Sequence, residues 1–329
     1  MSATIVVTGG AGFIGSALVR RFVRDGFSVR VLDDVSRGSE NRIADVADSI
    51  DFRKGDVRDA QIVADVVRGA EWVCHLAYVN GTARFYREPD LVLDVAVRGM
   101  LNVLDACRRH DVGRLLLASS SEVYQSAPRV PTDESAPLSV PDPLNPRYSY
   151  GGGKIISELL ALNFGRKGFE RVIAFRPHNI YGPDMGWDHV IPQVTVRLLR
   201  AIATPSGSGP VELRIQGSGE ETRAFCYIDD LVDGVRLLLD RGEHLGIYNI
   251  GTTEEIAIRT LAESIAGCFG REIVILPGEL RAGSTRRRCP NIDRISALGY
   301  APRVALRTGL PPTVRWYTDH IAEAPTALA

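Results

Sequence analysis

Lysine is almost missing from this chain. Of 39 basic residues only Lys54, Lys154 and Lys167 are lysines, so each lysine invites a reason. An excess of either charge is missing too. The net charge of −1 gives no electrostatic case for nucleic-acid or anionic-membrane partners. The five cysteines (Cys74, Cys107, Cys226, Cys268, Cys289) are scattered and form no CxxC pair. That argues against a disulfide framework or a metal site and fits a reducing compartment. The apolar run at 3–7 stops at Thr8–Gly9–Gly10, too soon for a signal peptide, and no basic segment precedes it. No apolar run is long enough to span a membrane. The expectation is a cytoplasmic chain with no nucleic-acid, membrane or metal partner.

What is present alternates. A length of 329 residues suits two domains, or one with a large core. Thr4–Thr8 is a β-branched run, and Phe13 to Arg24 carries Ile14, Leu18 and Phe22 at helical spacing. Phe27–Leu32, Trp72–Leu76 and Arg114–Ala118 read as strands, with a long helical pattern from Leu91 to His110. This rhythm predicts an α/β fold, a parallel sheet with helices on both faces. Pro128 to Pro146 holds six prolines and reads as a long irregular connection. Tyr150–Phe164 follows as a helix and Arg171–Phe175 as a strand. Later come a flexible Thr204–Pro210 stretch, a helix over Asp229–Leu239 and a strand over Gly246–Ile250.

Thr8–Gly9–Gly10–Ala11–Gly12–Phe13–Ile14–Gly15 follows a strand and opens a helix. Glycines there allow a tight turn and let backbone approach a pyrophosphate, whose charge the helix N-terminus stabilises. Asp33 ends the second strand, 18 residues after Gly15. A carboxylate at that place hydrogen-bonds a ribose 2′-OH and repels a 2′-phosphate, which favours NAD over NADP; Arg37 lies nearby. Asp56, in Gly55–Asp56–Val57, reads either as an adenine contact or as a strand-end turn carboxylate.

Tyr150 and Lys154 are four apart and share a helix face. A compact ammonium is what lowers a neighbouring phenol pKa and hydrogen-bonds a ribose. Propensity opposes the helix. Gly151, Gly152 and Gly153 each cost roughly 1 kcal/mol relative to alanine. The following Ile155–Leu160 run supports it, and the glycines make sense where backbone lies against a cofactor, the sheet or a partner chain.

These residues resemble the extended short-chain dehydrogenase/reductase family, in its nucleotide-sugar epimerase/dehydratase branch. The resemblance covers essentially the whole chain. It rests on the glycine loop, Asp33, Gly55–Asp56–Val57, His75–Leu76–Ala77, Ser119–Ser120–Ser121–Glu122–Val123–Tyr124 and Tyr150xxxLys154. It continues through Arg176–Pro177, Asn179–Ile180–Tyr181–Gly182–Pro183, Thr222–Arg223–Ala224–Phe225, Tyr227–Ile228–Asp229–Asp230–Leu231 and Asn249–Ile250–Gly251. It implies a Rossmann-type doubly wound domain over 1–178 plus 226–252. A smaller mixed α/β domain over 179–225 and 253–329 would hold a nucleotide-diphosphate sugar. NAD would meet Gly9, Gly12, Phe13, Ile14, Gly15, Asp33, Asp56, Val57, Leu76, Ala77, Tyr150, Lys154 and Pro177. Tyr150 would be the general base, shifted toward neutrality in the positive field of Lys154 and the oxidised nicotinamide, and Ser120 would bond the reacting oxygen. Ser121, Asn179, Arg223 and either Arg287 or Arg288 would hold the substrate. A homodimer through the helices at 91–110 and 150–164 is also implied. Departures from the family pattern are Ala96 for an asparagine, Met100 for a threonine, Tyr78 for a small residue and His178 for an aromatic one.

The reaction turns on Glu122. Sugar oxidation, usually at C4, is common to the family. Dehydratases and decarboxylases add an acid or base near C5 and C6, often in Thr-Asp-Glu or Thr-Ser-Glu. This chain has Ser120–Ser121–Glu122 and no aspartate. The expectation is an epimerase acting at C4. The runner-up is a 4,6-dehydratase or uronate decarboxylase using Glu122, ahead of an NADPH-dependent reductase or a non-catalytic NAD sensor.

Overall fold

The computed structural model describes residues 2–203, 209–279 and 285–326. Most of the Thr204–Pro210 stretch lies outside the described residues. The strands in chain order are β1 (Thr4–Thr8), β2 (Ser28–Asp33), β3 (Ile50–Lys54), β4 (Trp72–His75), β5 (Arg114–Ala118), β6 (Arg171–Pro177), β7 (Ile180–Tyr181), β8 (Val211–Arg214), β9 (Thr222–Ala224), β10 (Cys226–Tyr227), β11 (Gly246–Ile250), β12 (Glu255–Ala257), β13 (Ile273–Leu276) and β14 (Arg287–Arg288). The helices are α1 (Phe13–Arg24), α2 (Ala60–Val67), α3 (Thr82–Arg87), α4 (Pro89–Asp94), α5 (Met100–Arg109), α6 (Tyr148–Gly165), α7 (Val190–Ala203), α8 (Ile228–Arg241), α9 (Ile258–Gly267), α10 (Asp293–Ser296) and α11 (Leu306–Asp319).

Seven strands make one parallel sheet in the order β11-β6-β5-β4-β1-β2-β3. Strand residues alternate between two apolar layers. Ile5 and Val7 pack with α1 and α8, while Val6 packs with α2 and α5. With both faces covered, the central strands β1, β4, β5 and β6 read as near-continuous apolar runs, while the edge strand β3 alternates with exposed charges. Fully burying such a side chain contributes about 1.5–3 kcal/mol. The chain reverses direction across the sheet at β1, so the crevice between the ends of β1 and β4 is the ligand position of a doubly wound fold.

The smaller part collects α7, α9, α11 and the β8–β13 pair around Ile191, Leu213, Leu261 and Leu310. A three-stranded sheet, β12-β9-β14, and the β7–β10 pair join it to the large sheet. The expected single helix from Leu91 to His110 is more elaborate. A π-helical turn at Val95–Gly99 separates α4 from α5. Such turns re-aim side chains where a helix meets a functional site. Here the turn presents the Ala96 carbonyl to the Ser157 hydroxyl of α6 at 3.2 Å. No described helix is long and apolar enough to cross a membrane.

Candidate active site

The glycine loop is tight for stated reasons. A Cβ on Gly9, at φ +73°, would lie 2.7 Å from the Ala77 nitrogen, and one on Gly15 would strike Gly9 and Gly10 backbone. Gly12 caps α1 without a side-chain bond, leaving the helix N-terminus for a ligand. A cleft of about 420 Å³ runs from this loop to α6, and every residue assigned above to NAD lines it. The Asp33 carboxylate sits at one end, accepting from Ala11 N and Val35 N at 2.9 Å each. Burial pushes its pKa up against those two bonds. Asp56 also lines the cleft, but Arg58 grips both its oxygens and holds its carboxyl below the usual range. A carboxylate that lines the cleft while paired with Arg58 fits either reading of Asp56.

At the other end stand Tyr150 and Lys154, both on α6 and both buried. The glycines before Lys154 are packing contacts. A Cβ on Gly151 would meet Gln125 Nε2 at 2.6 Å, and one on Gly153 would overlap the Tyr78 hydroxyl. Only Gly152 has room. Tyr150 stacks on Phe85, 4.8 Å between centroids, and meets Tyr78 edge-on at 5.2 Å.

Burial raises the Tyr150 phenol to about 12, against a hydrogen bond with Ser120, and Glu122 adds to the rise. Lys154 does not touch the phenol. Its Nζ donates to Ala118 O at 2.6 Å and lies 3.8 Å over the Tyr78 ring. Burial lowers Lys154 itself to about 7, with Glu158 pulling the other way. The pair on one helix face is therefore a buried phenol and an equally buried ammonium, each opposed by desolvation.

The end of β5 brings Ser119, Ser120, Ser121 and Glu122 to the same place. Ser120 Oγ accepts from Glu122 N at 3.1 Å. Glu122 pairs with Arg288 at 2.5 Å. Burial raises the Glu122 pKa, but Arg288, Arg147 and Arg223 overcome this and hold it below the usual range. Arg288 and Arg223 are neighbours across β14 and β9. Arg223 donates to the carbonyls of Thr222 and Thr285 at 2.7 Å, and burial beside Arg288 lowers it to about 10. Arg287 faces the other way, bound to Glu255 at 2.8 Å and half exposed. Of the two adjacent arginines, Arg288 is the one that contacts Glu122, and Arg287 pairs with Glu255 instead. Asn179, at φ +42°, donates its side-chain amide to Ala224 O at 2.9 Å, which ties the two parts of the chain together.

Beneath the site lies a buried polar network that the sequence reading did not foresee. Glu158 takes Arg176 at 2.6 Å and also the Ser119 hydroxyl. Arg176 donates to Tyr124 Oη at 2.7 Å, and Tyr124 to Asn249 Oδ1 at 2.8 Å. Asn249 Oδ1 also meets His178 Nε2 at 3.1 Å. Since that oxygen only accepts, His178 carries its proton on Nε2. Burial lowers His178 to about 3, so it stays neutral. Arg37, noted earlier only for its closeness to Asp33, reaches across the cleft. Its field acts on Tyr150, and its Nη1 is buried without a hydrogen-bond partner among the described residues.

The model of the NAD dependent epimerase/dehydratase family matches residues 5–251. The chain belongs to that family. A UDP-glucose 4-epimerase from Mycolicibacterium smegmatis is 32% identical, over 95% of this chain and 98% of the relative. UDP-glucuronic acid decarboxylase 6 from Arabidopsis thaliana is 33% identical, over 93% and 86%. A solved dTDP-glucose 4,6-dehydratase from Streptomyces venezuelae, with NAD and TYD bound, superposes with a TM-score of 0.86 at 30% identity, covering 99% of this chain and all of that one. The chain is thus an enzyme of the NAD-dependent epimerase/dehydratase family, and these three relatives carry three different reactions.

Proposed function

We propose that this chain binds NAD in the cleft and epimerises a nucleotide-diphosphate sugar at C4. The cleft suits the cofactor. It offers a bare helix N-terminus to a pyrophosphate, an aspartate to a ribose, and Tyr150 and Lys154 at the far end. When bound, NAD would supply the hydride acceptor and a positive charge to the site. Tyr150 Oη receives the C4 hydroxyl proton, and Ser120 holds the reacting oxygen. A phenol at about 12 is a poor base at neutral pH. Ionising it there costs on the order of 7 kcal/mol, so positive charge beside it is required. Lys154 and Arg37 supply what the chain itself provides. Arg223 and Arg288, side by side, face the diphosphate.

The observation that favours epimerisation is the Glu122–Arg288 ion pair. Elimination across C5 and C6 needs a base and also an acid for the departing oxygen. Glu122 is the one carboxylate in the Ser119–Glu122 strand end. It is held ionised by arginines, and its neighbours are serines. Epimerisation at C4 asks nothing of it. Incubation with candidate sugar nucleotides, read by NMR, tests this. Inversion at C4 is expected; release of water or CO2 overturns it in favour of dehydration or decarboxylation. We also propose a homodimer through α4, α5 and α6, whose outer faces expose Leu93, Ile156 and Leu159. Light scattering giving the mass of a monomer would contradict this.

A further inference from the structure

Two departures from the family pattern, Tyr78 and Ala96, stand together in space beside Gly153. Tyr78 follows β4 with a ring where a small residue is usual. Its hydroxyl donates to the Tyr150 carbonyl at 3.3 Å. The ring lies against the position of a Gly153 side chain, and the same position is 2.9 Å from the Ala96 Cβ. A large residue at 78 thus occupies the space that Gly153 and Ala96 leave open.

The ring face is turned to Lys154. Among described residues, Nζ has one hydrogen-bond acceptor, Ala118 O, and the Tyr78 centroid at 3.8 Å. The Tyr150 ring is further, at 5.9 Å. The nearest carboxylate, Glu158, already serves Arg176 and Ser119. His75, on β4, is buried and neutral, and the Lys154 charge acts against its protonation. The groups facing the ammonium are therefore His75, Tyr78, Tyr150 and Glu158, and only the Tyr78 ring offers close attraction beyond one carbonyl.

We propose that Tyr78 is a positioning residue: its π-face holds the Lys154 ammonium beside Tyr150, and Gly153 and Ala96 exist to admit the ring. The role rests on the reading of Tyr150 and Lys154 as the reacting pair. A ring quadrupole attracts a desolvated cation strongly. It does so without neutralising it, so the positive field still reaches the phenol and a bound ribose. A carboxylate in its place would cancel that field.

The scarcity of lysine makes the test direct. Protein carrying 13Cε-lysine shows three resonances, and Lys154→Met identifies the one of interest. The NAD-loaded protein is titrated with tyrosine, phenylalanine or mono-, di- and trifluorophenylalanine at position 78. Phenylalanine is expected to leave the Lys154 midpoint unmoved. Fluorination keeps the shape and weakens the ring's attraction, so the proton leaves at successively lower pH, by about one unit for the trifluoro ring. The alkaline limb of the turnover profile is expected to move with it. A midpoint indifferent to fluorination overturns the proposal. So does a phenylalanine variant shifted as far as the trifluoro one, which would make the hydroxyl responsible. Protein that takes up no NAD contradicts the proposed function instead; the same series on the cofactor-free chain still decides the role of Tyr78.

Discussion

Gly152 and Gly153 are adjacent in one helix, and alanine at each is expected to change stability in opposite directions. Propensity favours alanine at both by about 1 kcal/mol. At 152 the new Cβ meets only Val140 Cγ2 at 3.4 Å, an ordinary contact, so the gain survives. At 153 the Cβ overlaps the Tyr78 hydroxyl and comes within 2.9 Å of Ala96 Cβ. Overpacking of that kind costs about 1–3 kcal/mol, and displacing the ring also endangers a buried hydrogen bond worth about 1 kcal/mol. The net expectation is about 1–2 kcal/mol lost at 153 and up to about 1 kcal/mol gained at 152. Urea unfolding of the cofactor-free variants measures both. Removing the clashing oxygen, in Gly153→Ala with Tyr78→Phe, should recover part of the loss. If Gly153→Ala is stabilised as Gly152→Ala is, Tyr78 does not pack where it is described, and the reasoning fails.

Other consequences follow from the buried charges. Glu158→Gln leaves Arg176 without its carboxylate in a site where both side chains are 2% exposed, and should cost about 3–5 kcal/mol in the same assay. Lys154 titrates near 7 when folded against 10.5 as its ordinary value, so the folded chain binds fewer protons between those limits. Stability of the cofactor-free protein should therefore rise with pH across that window, by at most roughly 5 kcal/mol, and Lys154→Met should abolish the rise; parallel curves would refute it. Asp33 should make NADP bind at least about tenfold more weakly than NAD, and Asp33→Ser should narrow the gap when both affinities are measured by calorimetry.

The large sheet was legible because most of its strands are short apolar runs and its glycine loop has a local geometric cause. Lys154 stood out because arginine fills nearly every other basic position. The rest depended on contacts between distant segments. Nothing local to Arg287 and Arg288 says which faces the site; alternation along β14 decides it, through pairing with Arg223. Propensity alone speaks against a helix at Gly151–Gly153, since the compensation lies in Tyr78 and Gln125. The expected downward shift of Tyr150 draws on the oxidised nicotinamide as well as Lys154, and in the chain alone burial outweighs the hydrogen bond with Ser120 and the field of Arg37. Lys154 Nζ lies 5.9 Å from the Tyr150 ring centroid. Arg176, Tyr124 and Asn249 lie inside quoted motifs, yet their network spans β6, the β5 end and β11 and leaves no mark in any one of them.

The central claim is that the Tyr150 phenol moves a proton while a sugar C–H bond breaks at the cofactor cleft. The direct measurement is turnover of a sugar nucleotide carrying deuterium at C4, by the wild-type protein and by Tyr150→Phe, with NAD affinity measured on both. The account predicts a primary isotope effect in the wild type and loss of turnover in the variant at nearly unchanged NAD affinity. Undiminished turnover by Tyr150→Phe would contradict it.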